Sequence, residues 1–192
     1  MKNKRIFIII NLLYILIPLL ILVFPILFQY KFYFLTIFGL LIYFITRKSG
    51  ISNEELGIKK DNIFSSILNN LPICIISIII IILMRIIGLN EFTPNETIYF
   101  YLFYIFVSCP LQEFLYRGIF GCYDNGKNYF LLLSSFMYSF VHIIYKDIIT
   151  IILTFIIGII WFYLYRKDKN LFGVSLSHCI VGILTIFLGI ID

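Results

Sequence analysis

Charge is what this chain has least of. Only 13% of its 192 residues are Asp, Glu, Lys or Arg, while 61% are hydrophobic and the mean hydropathy is +1.03. A soluble domain carries about 25% charged and about 45–50% apolar residues, so a soluble fold could not hide this much apolar surface. Histidine is scarcer still, with two residues, His142 and His178. The four cysteines, Cys74, Cys109, Cys122 and Cys179, lie far apart without a CxxC pair. That spacing excludes a zinc-finger pattern and leaves most of them reading as small buried hydrophobes. Walker and dinucleotide-binding glycine patterns are missing too. The apolar runs are continuous rather than alternating, which argues against a β-barrel.

What is present is a series of apolar runs near the length of about 20 residues that crosses a bilayer as a helix. The expected fold is an all-α polytopic membrane bundle, one integral domain over 1–192, with about seven helices at 6–28, 32–46, 65–88, 97–121, about 129–145, 148–165 and 172–191. The first run follows a positive N-terminal pentapeptide but continues past a signal-peptide core, so it reads as a retained membrane helix. Pro18 and Pro25 are expected to kink it, which membrane helices tolerate. Residues 47–61 read as the longest solvated loop, in which Ser52 and Glu55 have capping-box spacing. Arg85, near a span end, is expected to snorkel to the interface. Trp161, Tyr163 and Tyr165 suggest a headgroup-level aromatic cluster.

Charge placement tests this segmentation. Seven spans put Lys2, Lys4, Arg5, Arg47, Lys48, Lys59, Lys60, Lys127, Arg166, Lys167 and Lys169 on one side and only Lys31 and Lys146 on the other. By the positive-inside rule, the N-terminus is cytoplasmic and the C-terminus is outside. The same rule accounts for the net charge of +5, and no nucleic-acid partner is implied. Isoleucine-rich spans with basic loops suggest a prokaryotic inner membrane.

Inside the fourth run sits the polar stretch Ser108-Cys109-Pro110-Leu111-Gln112-Glu113-Phe114-Leu115-Tyr116-Arg117-Gly118. Glu113 and Arg117 share one helix face. Ionisable groups within spans are costly and mark functional sites. The pair reads either as structural neutralisation or as a general base tuned by burial and by the arginine. His142 and His178 each fit a polar helix contact, yet both histidines of the chain fall in membrane segments. Glu113, His142 and His178 could hold a water or a zinc ion, or work without metal. Depths do not match. At the helical rise, Glu113 and His178 lie about 12 and 9 Å from the cytoplasmic ends of their helices, but His142 about 20 Å. Cys109, four residues before Glu113, offers a Cys-His nucleophile as another possibility. A small proton-coupled transporter is the rival class, since the same groups could relay protons.

These residues resemble the CPBP family of intramembrane proteases, also called CAAX prenyl endopeptidase-like or abortive-infection proteins. The family signature is Glu-Glu-x-x-x-Arg, then Phe-x-x-x-His, then His-x-x-x-Asn on successive helices. Here the motifs stand as Gln112-Glu113-Phe114-Leu115-Tyr116-Arg117, Tyr138-Ser139-Phe140-Val141-His142 and His178-Cys179-Ile180-Val181-Gly182. The resemblance spans a protease-like core at about 97–191. It implies cleavage of a membrane-embedded or lipid-modified peptide or protein by activated water, with Glu113, Arg117, His142 and His178 catalytic and Gln112, Cys109 and Tyr138 auxiliary. Relatives are associated with prenylated substrates, bacteriocins and peptide signals.

Three positions depart from the family. Gln112 replaces the first glutamate, usually assigned as the base, and an amide cannot take a proton from water. Gly182 replaces the late asparagine. Tyr138 replaces phenylalanine, a milder change. Two readings follow. Either Glu113 serves as the base of a glutamic- or metallo-type endopeptidase, or hydrolysis is lost and the fold survives as a binding or bacteriocin-immunity protein. A cofactor is either not required or is zinc on Glu113, His142 and His178.

Overall fold

The computed structural model describes residues 4–88 and 96–189, and among these every regular element is helical. Seven helices follow in order: α1 Lys4–Val23, α2 Lys31–Lys48, α3 Ile63–Ile86, α4 Ile98–Tyr123, α5 Asn128–Val141, α6 Ile148–Asp168 and α7 Leu171–Phe187. The first six runs are long and apolar enough to cross a membrane, α2 counted with the 3₁₀ turn Pro25–Tyr30 before it and α5 with the turn His142–Tyr145 after it. The seventh, α7, is a shorter apolar helix of 17 residues, and the expected end of its run near 191 lies outside the described residues.

One local expectation changes and another is sharpened. Pro25 does not kink α1; the helix ends at Val23 and Pro25 opens the 3₁₀ turn, where its missing N–H costs nothing. The segment after α2 is a largely solvated loop, as expected, but it buries two apolar residues. Ser52 and Glu55 exchange reciprocal bonds, Ser52 N to Glu55 Oε2 at 2.8 Å and Glu55 N to Ser52 Oγ at 3.1 Å. That capping box closes a tight turn rather than a helix and drives Ile51 and Leu56 into the core. At Gly57 (φ +80°) a Cβ would strike the Tyr165 ring at 2.8 Å, so both the backbone and the packing require glycine.

The outside of the bundle is greasy, as lipid contact demands. Ile8, Leu12, Ile37, Phe44, Ile76 and Ile156 are all at least half exposed. Hydrophobicity therefore does not choose which faces pack, and small residues and polar bonds do. Against Gly173 of α7 the backbone of Ser66 in α3 approaches so closely that a Cβ would lie 2.4 Å from its carbonyl oxygen. Gly158 of α6 lets Ser135 of α5 approach in the same way.

The end carrying the basic loops is tied by hydrogen bonds. Asn170 Nδ2 donates to the carbonyls of Lys59 and Asp61, while its Oδ1 caps α7 at Phe172 N. Asp168 accepts from Asn69 Nδ2 at 2.9 Å and from Ser65 Oγ at 3.2 Å. Arg166 forks onto Asp124 at 2.7 and 2.9 Å.

Candidate active site

Helix α4 is not a regular α-helix. Two π-helical stretches, Tyr104–Ser108 and Phe114–Ile119, bracket the turn Cys109–Glu113. Each wide turn re-aims the side chains beyond it, and such turns concentrate at functional sites. The second is pinned from both sides. Tyr14 Oη of α1 donates to Leu115 O at 2.8 Å, and Ser134 Oγ of α5 donates to Tyr116 O.

Glu113 and Arg117 are both completely buried. Arg117 Nε lies 3.1 Å from Glu113 Oε2. The guanidinium carbon sits 4.4 Å from the Tyr138 ring centroid and 5.5 Å from that of Trp161. Among the described residues its two outer nitrogens have no hydrogen-bond partner, so the aromatic faces take their place. The other carboxylate oxygen of Glu113 accepts from His178 Nδ1 at 2.7 Å. His178 is thus joined to Glu113 across 65 residues. Its ring stacks on Trp161 at 4.7 Å and 25°, while Tyr138 Oη reaches its Nε2 at 3.3 Å.

A cavity of about 300 Å³ opens on the other side of His178. Gln112, Ser108, Tyr104, Tyr138, His142 and His178 all face it; Glu113, Arg117 and Cys109 do not line it. Gln112 Nε2 donates to Ser108 Oγ at 2.9 Å. His142 stands where α5 tightens into its 3₁₀ turn and donates from Nδ1 to Tyr138 O at 2.8 Å. With Nδ1 as donor, its Nε2 is the unprotonated nitrogen. The same holds for His178 when Glu113 is ionised. The depth mismatch between the two histidines thus resolves into layers. His142 lies one ring beyond His178, with Tyr138 between them at centroid distances of 5.0 and 5.6 Å.

Several expected placements change. Glu113, His142 and His178 do not converge as metal ligands. No ligand group of three gathers among the described residues; Glu113 Oε1 bonds His178 Nδ1 and His142 Nδ1 bonds a carbonyl. Cys109 is buried in a side cluster with Cys179 and Tyr104 and does not line the cavity. Trp161 and Tyr165, expected at the headgroup level, are 1% exposed and form part of the core; only Tyr163 of the three faces outward. Arg85 does sit in the last turn of α3.

Sequence reasoning missed Tyr104 and Trp161. Tyr104 lies in an aromatic run, 99–104, whose other members face lipid or the interior without distinction by type. A signal for it existed at Gly182, the position where the family carries asparagine. A Cβ built there would lie 2.0 Å from Tyr104 Oη.

Residues 94–184, just under half of the chain, match the family model described as type II CAAX prenyl endopeptidase Rce1-like. No curated protein and no solved structure matches the chain. The matched stretch contains all three motifs, with Gln112, His142 and His178 on the cavity. This is a multi-pass membrane protein whose stretch 94–184 is similar to the Rce1-like type II CAAX prenyl endopeptidases.

Proposed function

We propose that this protein hydrolyses a peptide bond within the membrane and that Glu113 acts through His178 rather than directly on water. The observation that carries this reading is the 2.7 Å bond from His178 Nδ1 to a fully buried Glu113, with the far side of the same imidazole on the cavity. Arg117 pairs with the carboxylate. The carboxylate fixes the tautomer of His178 and stabilises the imidazolium that forms when Nε2 takes a proton. This is the logic of a carboxylate-backed histidine base.

In the reaction, Tyr138 Oη gives way and a water in the cavity loses its proton to His178 Nε2. The water oxygen bonds to the carbonyl carbon as the C=O π pair moves onto oxygen. The imidazolium then returns its proton to the amine nitrogen as the C–N bond breaks. His142 Nε2 accepts the second hydrogen of the water and orients it. Gln112, as an amide, positions the substrate backbone and takes no proton. The substrate is a membrane-embedded or lipid-modified peptide, a reading supported by the isoleucine side chains of α3 and α6 that line the cavity beside lipid. Since the donors do not converge on a metal position, no step is routed through zinc.

The test is the reconstituted protein with a membrane-anchored peptide library, read by mass spectrometry. Wild type cleaves, and His178→Ala and Glu113→Gln each lose about 10²–10⁴-fold, the usual worth of acid–base catalysis. Cleavage that survives both changes would sink this mechanism. A second reading, in which hydrolysis is lost and a binding role remains, is favoured by one observation: the cavity-facing position of the first motif is an amide. Silence in wild type with cleavage by Gln112→Glu would favour it.

A further inference from the structure

We propose that Tyr104 supplies the hydrogen-bond donor for the carbonyl oxygen of the bond being cleaved, from a slot that Gly182 leaves empty. The inference rests on the hydrolase reading above. The cavity wall carries polar groups of both kinds, but several of those nearest the His178 imidazole are already committed to other partners. His142 and His178 both present an unprotonated Nε2, the Tyr138 hydroxyl is engaged with His178, and the Gln112 amide is engaged with Ser108. A tetrahedral intermediate needs a donor aimed at its oxyanion.

Tyr104 meets that need by placement. It opens the first π-turn of α4, closed by the bond from Cys109 N to Tyr104 O. Its ring stacks on Phe100 at 6.0 Å and stands edge-on to His178 at 6.1 Å and 82°. It lines the same cavity as His178 and Gly182. On α7, Gly182 is one turn beyond His178, so the two share a face. Because a Cβ at 182 would overlap the phenol oxygen at 2.0 Å, the hydroxyl stands where a side chain from α7 would otherwise stand. Position 182 and position 104 therefore compete for one polar place beside the base. In this chain the place is filled from α4. At rest the Tyr104 hydroxyl bonds the Cys109 thiol; during attack it turns to donate to the oxygen that receives the π pair, and the phenol keeps its proton throughout.

Three variants test this: Tyr104→Phe, Gly182→Ala, and the exchange Tyr104→Ala with Gly182→Asn. Tyr104→Phe should lower kcat about 10²-fold with KM unchanged, the cost of one oxyanion donor. Gly182→Ala should lower kcat as well, because the methyl drives the phenol aside. The exchange should recover activity above Tyr104→Ala alone, since the asparagine amide refills the place. A companion measurement needs no turnover. Trp161 is the single tryptophan and stacks on His178, so its fluorescence reports occupancy of the cavity. A peptidyl trifluoromethyl ketone, which binds as its hydrate and mimics the oxyanion, should bind Tyr104→Phe about 10²-fold more weakly than wild type. The matching peptidyl alcohol should bind both equally. A Tyr104→Phe protein with wild-type kcat and ketone affinity overturns the proposal, as does equal weakening of ketone and alcohol. If wild type binds the alcohol but gains nothing from the ketone, and Glu113→Gln changes nothing, the hydrolase reading falls first and takes the Tyr104 role with it.

Discussion

The two ends of the bundle treat their polar groups in opposite ways. At the basic end they answer one another: Asp168 with Asn69 and Ser65, Asn170 with three backbone groups, Arg166 with Asp124. Toward the other end, Gln112, His142, His178 and Tyr104 face a cavity. The difference shows where each kind of free energy goes. Paired groups hold helices together where lipid provides no driving force between them. Groups left facing a cavity sacrifice that stabilisation and keep their bonding capacity for a substrate. Between the two lies the Glu113–Arg117 pair, which belongs to both: buried like a structural pair, yet bonded to the imidazole that lines the cavity.

The largest effect expected from breaking this contrast is at Glu113. Glu113→Ala leaves Arg117 charged, buried and unpaired, and should cost about 3–5 kcal/mol in thermal unfolding in detergent, on top of lost cleavage. Glu113→Leu combined with Arg117→Met should restore most of that stability and none of the cleavage, which separates the two roles of the pair. Next comes His142→Ala. It should lower kcat about 10²-fold and leave the unfolding midpoint nearly unchanged, because the residue lies on the cavity and is only half-buried. Asn170→Ala should do the reverse. Loss of its cap and its carbonyl bonds should cost about 1–2 kcal/mol, with cleavage per folded molecule intact. Equal effects on stability and kcat from both of these changes would erase the proposed division between the ends.

The smallest effect is one of pH. Asp147 caps α6 through Ile149 N and Thr150 N, beside the turn that carries His142. The Thr150 hydroxyl and amide, followed by the Ile149 amide, hold its carboxyl below the ordinary carboxylate range. A depressed folded-state value means the contribution is complete above the unfolded value of about 3.9 and is lost as the pH falls through the folded one. The protection of the Ile149 and Thr150 amides relative to intrinsic exchange should therefore fall on acidification, by an amount worth at most about 1 kcal/mol, and Asp147→Asn should flatten that response.

The helices were legible because each is a long apolar run, and the polar interruptions between them are short. Residues whose environment depends on packing were not. Trp161 looked like an interfacial aromatic because it stands near the C-terminal end of its helix, but stacking on His178 overrides that preference. The segment 49–58 looked polar by composition, yet its alternating Ile51 and Leu56 plug the core. The site residues themselves were visible as charges and histidines in greasy spans. Which of Gln112 and Glu113 faces the cavity was not, since neighbours on a helix point about 100° apart and the flanking π-turns shift the frame.

Those π-turns also make the sequence of α4 intolerant of changes in length. The second holds its extra residue while Tyr14 and Ser134 occupy the carbonyls of Leu115 and Tyr116. Deleting one residue between 114 and 119 would let the helix wind back to a regular pitch. Everything upstream would then swing by about 100° relative to Arg117 and the basic end. No substitution does this, and no side chain need be lost. A single-codon deletion there would produce a protein that keeps every polar side chain of the cavity, inserted in the membrane, with Glu113 turned away from His178.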